Sequence, residues 1–176
     1  LASGREFPDA LAGAALAAEV GGPLLLTDPG NLPPATASEL ARLQPSAIVV
    51  LGGTAAVSDT VAQQAVTQVH GAQLSRIQGA DRYQTADAVA SVSAQVGGGS
   101  TASNGVLVAS GLDFADGLAG AAWAGATHRP LLLVPTTFVT PPTWQTIQDL
   151  AAPSAVVLGG VNAVSAAVSS GLAAGN

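Results

Sequence analysis

The chain has 176 residues, 48% of them hydrophobic and only 9% charged, with a net charge of −6 and no lysine. That balance argues against nucleic acid, whose phosphates need a field of basic side chains, and the missing lysine excludes a P-loop. Without cysteine there is neither a disulfide framework nor a thiolate metal site, and no apolar run reaches the roughly 18 residues of a membrane span.

A chain of this length buries roughly 70% of its unfolded surface, so one ordinary domain or two small ones with a true core are expected. In chain order, "ASGREFPDALAGAALA" (2–17) opens on the stub of a strand and runs into an alanine-rich helix. "PLLL" (23–26) and "VVLGGTAAVS" (49–58) follow as strands, and Ser58 suits the cap of a helix over "DTVAQQAVTQV". Next comes "RIQGADRYQTA" (76–86), the most polar signature in the chain, leading into a helix from Thr85 to Val96. "GGGSTASNG" (97–105) is a flexible loop between elements. "NGVLVAS" (104–110) then reads as a buried strand, Asp116 to Ala126 as a helix, and "PLLLV" as a strand. Pro141 and Pro142 start a helix at "TWQTIQDLAA", "SAVVLGG" forms a strand, and Ser165 caps the last helix. The apolar runs do not alternate with polar residues, as expected of strands covered on both faces of a parallel sheet. Together these elements predict an α/β protein of repeated Rossmann-like or flavodoxin-like parallel-sheet sandwiches with right-handed crossovers.

Shifting the sequence by 107 residues lays 2–58 on 109–165 without a gap, with 26 of 57 positions identical. This is an internal repeat. R-I-x-G-x-D-R-Y-x-T-A appears once and belongs to the front of the second unit, so its counterpart would precede Leu1. The expected division is an incomplete first repeat over 1–73 and a second over 74–176. A shortened first strand also predicts an exposed or borrowed sheet edge near Leu1.

Four motifs in order, R-I-x-G-x-D-R-Y-x-T-A, A-S-G-x-x-F-x-D-x-L-A-G, P-L-L-L and V-V-L-G-G-x-x-A-V-S, resemble the type 2 cell-wall-binding repeat (CWB2) of Gram-positive surface proteins. The resemblance covers nearly the whole chain. It implies a family in which three units associate about a pseudo-threefold axis, and an extracellular location at the cell wall. It also marks Leu24, Leu25 and Leu26, and Leu131, Leu132 and Leu133, as important to attachment, although a buried strand explains them without contact.

Ligand sites of parallel sheets lie beyond the C-terminal strand ends. Here those ends carry Ser3, Gly4, Gly52 and Gly53 with Asp9, matched by Ser110, Gly111, Gly159 and Gly160 with Asp116. Backbone amides there could meet an anionic or hydroxyl-rich glycan; equally, the glycines make tight turns and the aspartates cap helices. Arg76, Asp81, Arg82 and Tyr83 join the candidates as polymer-binding or inter-repeat residues. Asp81 suits a helix start, and Arg82 offers a planar fork for a polymer anion or for an aspartate such as Asp9 or Asp116 that fixes how units meet. No G-x-G-x-x-G supports a dinucleotide, and no metal ligand set or cofactor is indicated. Catalysis finds no repeated base, since His70 has no duplicate and His128 aligns with Gly21. The expected function is therefore noncovalent, non-enzymatic anchoring to an anionic cell-wall polysaccharide. Partners would be that polymer and further copies of the repeat in cis or trans. The alternative is a self-associating structural domain of the cell envelope or an extracellular assembly.

Overall fold

A computed structural model describes residues 1–96 and 103–174; most of the expected loop 97–105 lies outside the described residues. Strands and helices alternate as β1 (Ala2–Ser3), α1 (Phe7–Glu19), β2 (Leu26–Thr27), α2 (Pro34–Leu43), β3 (Ala47–Leu51), α3 (Asp59–Thr67) and β4 (Gln73–Ile77). They continue as α4 (Arg82–Val96), β5 (Val106–Ser110), α5 (Ala115–Thr127), β6 (Leu131–Val134), α6 (Pro141–Asp149), β7 (Ala155–Val157) and α7 (Ala166–Ala174). Every strand pair is parallel. The expected caps form: Ser58 accepts from the Val61 amide and Ser165 from the Val168 amide at 3.5 Å; α6 starts at Pro141 as expected, with Thr140 as its cap accepting from the Thr143 amide. Helix α4 begins at Arg82, ahead of the expected Thr85, because the Asp81 carboxylate accepts from the Gln84 amide at 2.8 Å.

The duplication holds at the level of single hydrogen bonds. In the second unit the strand order is β6-β5-β7. In the first, β1 pairs with β2, while the Leu1 amine donates to the Val49 carbonyl at 2.6 Å and the Leu51 amide to the Leu1 carbonyl at 2.8 Å. These bonds set β1 between β2 and β3, the same order. The register repeats as well: Ala2 pairs with Leu26 and Ala109 with Leu133. The Leu51 to Leu1 bond has its counterpart in Leu158 to Val108, and Ser58 to Pro29 in Ser165 to Thr136. The exposed edge expected near Leu1 is absent, since Leu1 is 8% exposed and lies inside the sheet. An apolar hollow of about 400 Å³ is lined by Leu1 together with Leu16, Leu24, Leu25, Ile48 and Val92 among others.

β4 pairs along its whole length with β3, from Ala47 opposite Gln73 to Leu51 opposite Ile77. The R-I of the polar signature thus lies in the sheet of the first unit, and D-R-Y opens the helix that follows.

Alternation along the strands divides the core. In β6, Leu132 and Val134 face one cluster with Ile147, Val164, Val168 and Leu172, beneath α6 and α7. Leu131 and Leu133 face the other way, into a cluster built from Leu11, Ala12, Ala15 and Leu16 of α1, Ala86 and Val89 of α4, and Ala121 and Ala124 of α5. Ala2 and Leu51 of the first unit belong to that same cluster, while Ile48 and Val50 join Val57, Val61 and Ala65 under α2 and α3. One core is therefore shared by both units, with a separate one on the far side of each sheet. Small residues bring its helices close: a methyl added at Gly117 would lie 2.6 Å from Leu11, and one at Gly125 2.6 Å from Ala18.

Candidate functional site

The C-terminal ends of the two sheets meet around α4. Arg76, at the end of β4, donates to the Gly52 carbonyl at 2.7 Å and pairs with Asp59 at 2.9 Å. Arg82, at the start of α4, donates to the Gly111 carbonyl at 2.8 Å. The expected carboxylate partner is replaced by this carbonyl: a turn of the second unit presents an acceptor within reach, whereas Asp9 acts on Arg82 only through its charge. Tyr83 packs on the same turn, where a methyl at Gly111 would fall 2.6 Å from its ring and 3.4 Å from Arg82 Cδ.

Asp9 and Asp116 do not cap helices. The residues before α1 and α5 are Glu6 and Phe114, and at α5 it is Asp113 that accepts from the Ala115 amide at 3.1 Å. The Asp9 carboxylate instead seats against Gly52, and Asp116 against Gly159, so no side chain fits at either glycine. Both glycines hold positive φ, +86° and +98°, a region that L side chains rarely enter. Burial raises the Asp9 carboxyl above its ordinary range, against the opposing Arg82 charge and a hydrogen bond from Thr85. Ser3 and Ser110, each 1% exposed, turn their hydroxyls inward to accept from the amides two residues on, Arg5 at 3.2 Å and Leu112 at 3.1 Å. Hydroxyls spent in this way support local turns.

The structure thus gathers Arg76, Gly52, Asp9, Arg82, Tyr83 and Gly111 into one contiguous set, with Gly53 beside it and Asp81 capping α4. Gly4 stands apart, since an added methyl would meet only Leu26 and Thr27 at 3.5 Å or more. Gly159 and Gly160 are exposed and Asp116 half-buried, in the second-unit copy of the arrangement. Two polar residues went unread in the sequence. Thr85, inside the quoted signature, ties Asp9 to the turn at Gly79, whose amide donates to it at 3.1 Å. Asp87, the lone acid of an alanine and valine run, is buried and accepts from Thr143 of α6 at 3.0 Å, while its other oxygen has no partner. Burial pushes the Asp87 carboxyl up to about 7, Thr143 opposing and the Asp81 charge adding to the shift.

Fold and turns together define a tandem α/β repeat protein. The chain belongs to the family described as cell wall binding domain 2 (CWB2), which it matches over residues 1–62 and 76–169. Members of this family are cell-wall-associated surface proteins of Gram-positive bacteria, and membership places the chain at the cell wall. It is 30% identical over 165 residues to the N-acetylmuramoyl-L-alanine amidase LytC of Bacillus subtilis (strain 168), covering 94% of this chain and 32% of that one. With an amidase enhancer of the same organism it shares 33% identity over 127 residues, 72% of this chain and 17% of the other. Among solved structures, Cwp6 from Clostridium difficile superposes with a TM-score of 0.87 at 24% identity, covering 98% of this chain and 26% of that one. Cwp8 from the same organism gives 0.83 at 22% identity, covering 100% and 29%. The chain spans about a third or less of each relative's length, and the structural likeness carries the shared fold. No helix among the described residues is long and apolar enough to cross a membrane.

Proposed function

We propose that the chain is a non-catalytic module that fastens a larger secreted protein noncovalently to an anionic wall polysaccharide. The observation that carries this reading is the gathering of two guanidinium groups, Arg76 and Arg82, at the joined strand ends of a protein from a wall-binding family. Catalysis draws no support there, since the serine hydroxyls are committed to their own turns. A net charge of −6 opposes an anionic polymer at long range, so affinity rests on these local cations and amide donors or on divalent ions bridging acid to acid. Arg82 bonds the Gly111 turn and faces Asp9 of the first unit through its charge, and on this reading acts first by orienting the two units. Arg82→Lys, which keeps the charge and loses the planar fork, should then lower thermal stability and polymer binding together. A fully stable Arg82→Lys or Arg82→Ala that no longer binds polymer would make Arg82 a direct ligand residue. Pull-down with purified wall polysaccharide, with calcium and with EDTA, tests the anchor itself; failure to bind under both conditions overturns it.

A second reading, association with further copies of the repeat, is favoured by one face. Leu11 and Leu16 of α1, the helix packed between α4 and α5, are 4% and 6% exposed, whereas their counterparts on α5, Leu118 and Trp123, are 58% and 42% exposed. Another repeat would cover α5 as α4 covers α1. Sedimentation velocity tests this in trans.

A further inference from the structure

The two copies differ most tellingly beside the loop after the second strand. In the first unit Asn31, Ala37 and Gln64 occupy this place, and the Gln64 side chain accepts from the Leu32 amide at 3.4 Å. In the second unit the same positions hold Phe138, Trp144 and Gly171. Glycine in place of glutamine opens the space, and two aromatic rings wall it. The result is a hollow of about 400 Å³ between the 135–140 loop, α6 and α7, with Val168 among its lining and Thr137 at its rim. Phe138 is 55% exposed, as is Phe114, but only Phe138 stands beside a second aromatic ring across a hollow. No charged side chain lines it.

We propose that this hollow is a sugar-ring subsite, in which Phe138 and Trp144 stack on the apolar face of one residue of the wall polysaccharide. The inference rests on the anchoring function proposed above. Its size falls in the range of small-ligand pockets, roughly 300–1,000 Å³. A pyranose offers a flat C–H face to an aromatic ring and hydroxyls to a rim such as Thr137, so the chemistry of walls and rim matches a sugar better than an apolar peptide side chain. The site also lies beyond the C-terminal end of β6, where parallel sheets place their ligands.

The test uses the intact chain, wall polysaccharide purified from Bacillus subtilis 168, and simple methyl glycosides. The chain has two tryptophans, hence two indole N–H signals by NMR. Polysaccharide or glycoside should shift the Trp144 signal and leave that of Trp123 in place. Phe138→Ala should weaken polymer binding by about tenfold or more, while Phe138→Tyr stays close to the parent. Gly171→Gln, which restores the filling residue of the first unit where nothing lies within 4 Å of the added carbon, should weaken it likewise in a folded protein. Unchanged polymer binding in both Phe138→Ala and Gly171→Gln overturns the subsite and leaves the anchor standing. If the parent fails to bind polymer but glycosides still move the Trp144 signal, the anchor falls and the sugar subsite stands. A Trp144 signal unmoved by either sugar, or a Phe138→Ala variant altered only in self-association, overturns the subsite.

Discussion

Gly4 and Gly111 are equivalent in sequence and in their turns, yet only Gly111 is pressed by a neighbour. Tyr83 and Arg82 lie across it, and nothing comparable lies across Gly4. Gly111→Ala should therefore cost about 1–3 kcal/mol by overpacking, while Gly4→Ala stays near neutral. Thermal unfolding resolves the pair, at roughly 2–4 °C per kcal/mol for a chain of this size. Asp87 governs a pH dependence. Its native pKa, raised from 3.8 to about 7, means that the folded state holds a proton the unfolded state has released between those values. Its contribution to stability is thus largest below about pH 4 and is lost as pH rises toward 7. Asp87→Asn keeps an oxygen for the Thr143 hydroxyl and carries no charge, so it should be more stable than the parent at pH 8 and converge with it at pH 4. Unfolding curves at the two pH values would show a constant difference if the carboxyl did not matter. Neither Asp87 nor the partner of Arg82 was legible in the sequence, because each depends on a contact between distant segments: 56 residues separate Asp87 from Thr143, and 29 separate Arg82 from Gly111.

At the scale of elements, the sequence carried much more. Apolar runs without alternation announced strands covered on both faces, and the 107-residue shift foretold the common order and register of the two sheets. Caps at Ser58, Asp81 and Ser165 follow from local chemistry alone, which is why those helix starts were readable, whereas Asp9 and Asp116 were drawn away from capping by the glycine turns they pack against. The pairing of β4 with β3 was not, since nothing within "QLSRI" says which sheet it joins. Nor did the alanine-rich helices reveal their different surroundings. Helices α1 and α5 share most of their sequence, but α1 is enclosed by α4 and α5, while α5 shows Leu118 to solvent. Leu118→Asp should leave thermal stability within about 0.5 kcal/mol of the parent, as for exposed positions generally. It should also abolish any concentration-dependent association seen by sedimentation velocity. Association that survives the substitution would place the contact elsewhere.

For the whole molecule, the anchoring proposed above sets an acidic module against an acidic polymer, two partners that would repel at distances beyond their contact. Raising ionic strength from about 0.01 M to 0.15 M shortens the screening length from about 30 Å to about 8 Å, and should speed association, opposite to the behaviour of a basic polysaccharide binder. Stopped-flow or surface-based rates across that range decide it; a rate that falls with salt would mean that the local arginine field prevails even at long range. The shared core has a mechanical consequence. Leu11, Ala12 and Leu51 from one unit and Leu107, Leu131 and Leu133 from the other lie in a single cluster, so neither unit can open without baring the interior of its neighbour. A fastening under drag is usually pictured as beads on a string, yielding one at a time and lengthening in steps. Here the two beads are fused, and a pulling force should meet a single rupture releasing both together, so that the tether stays short until it gives way entirely.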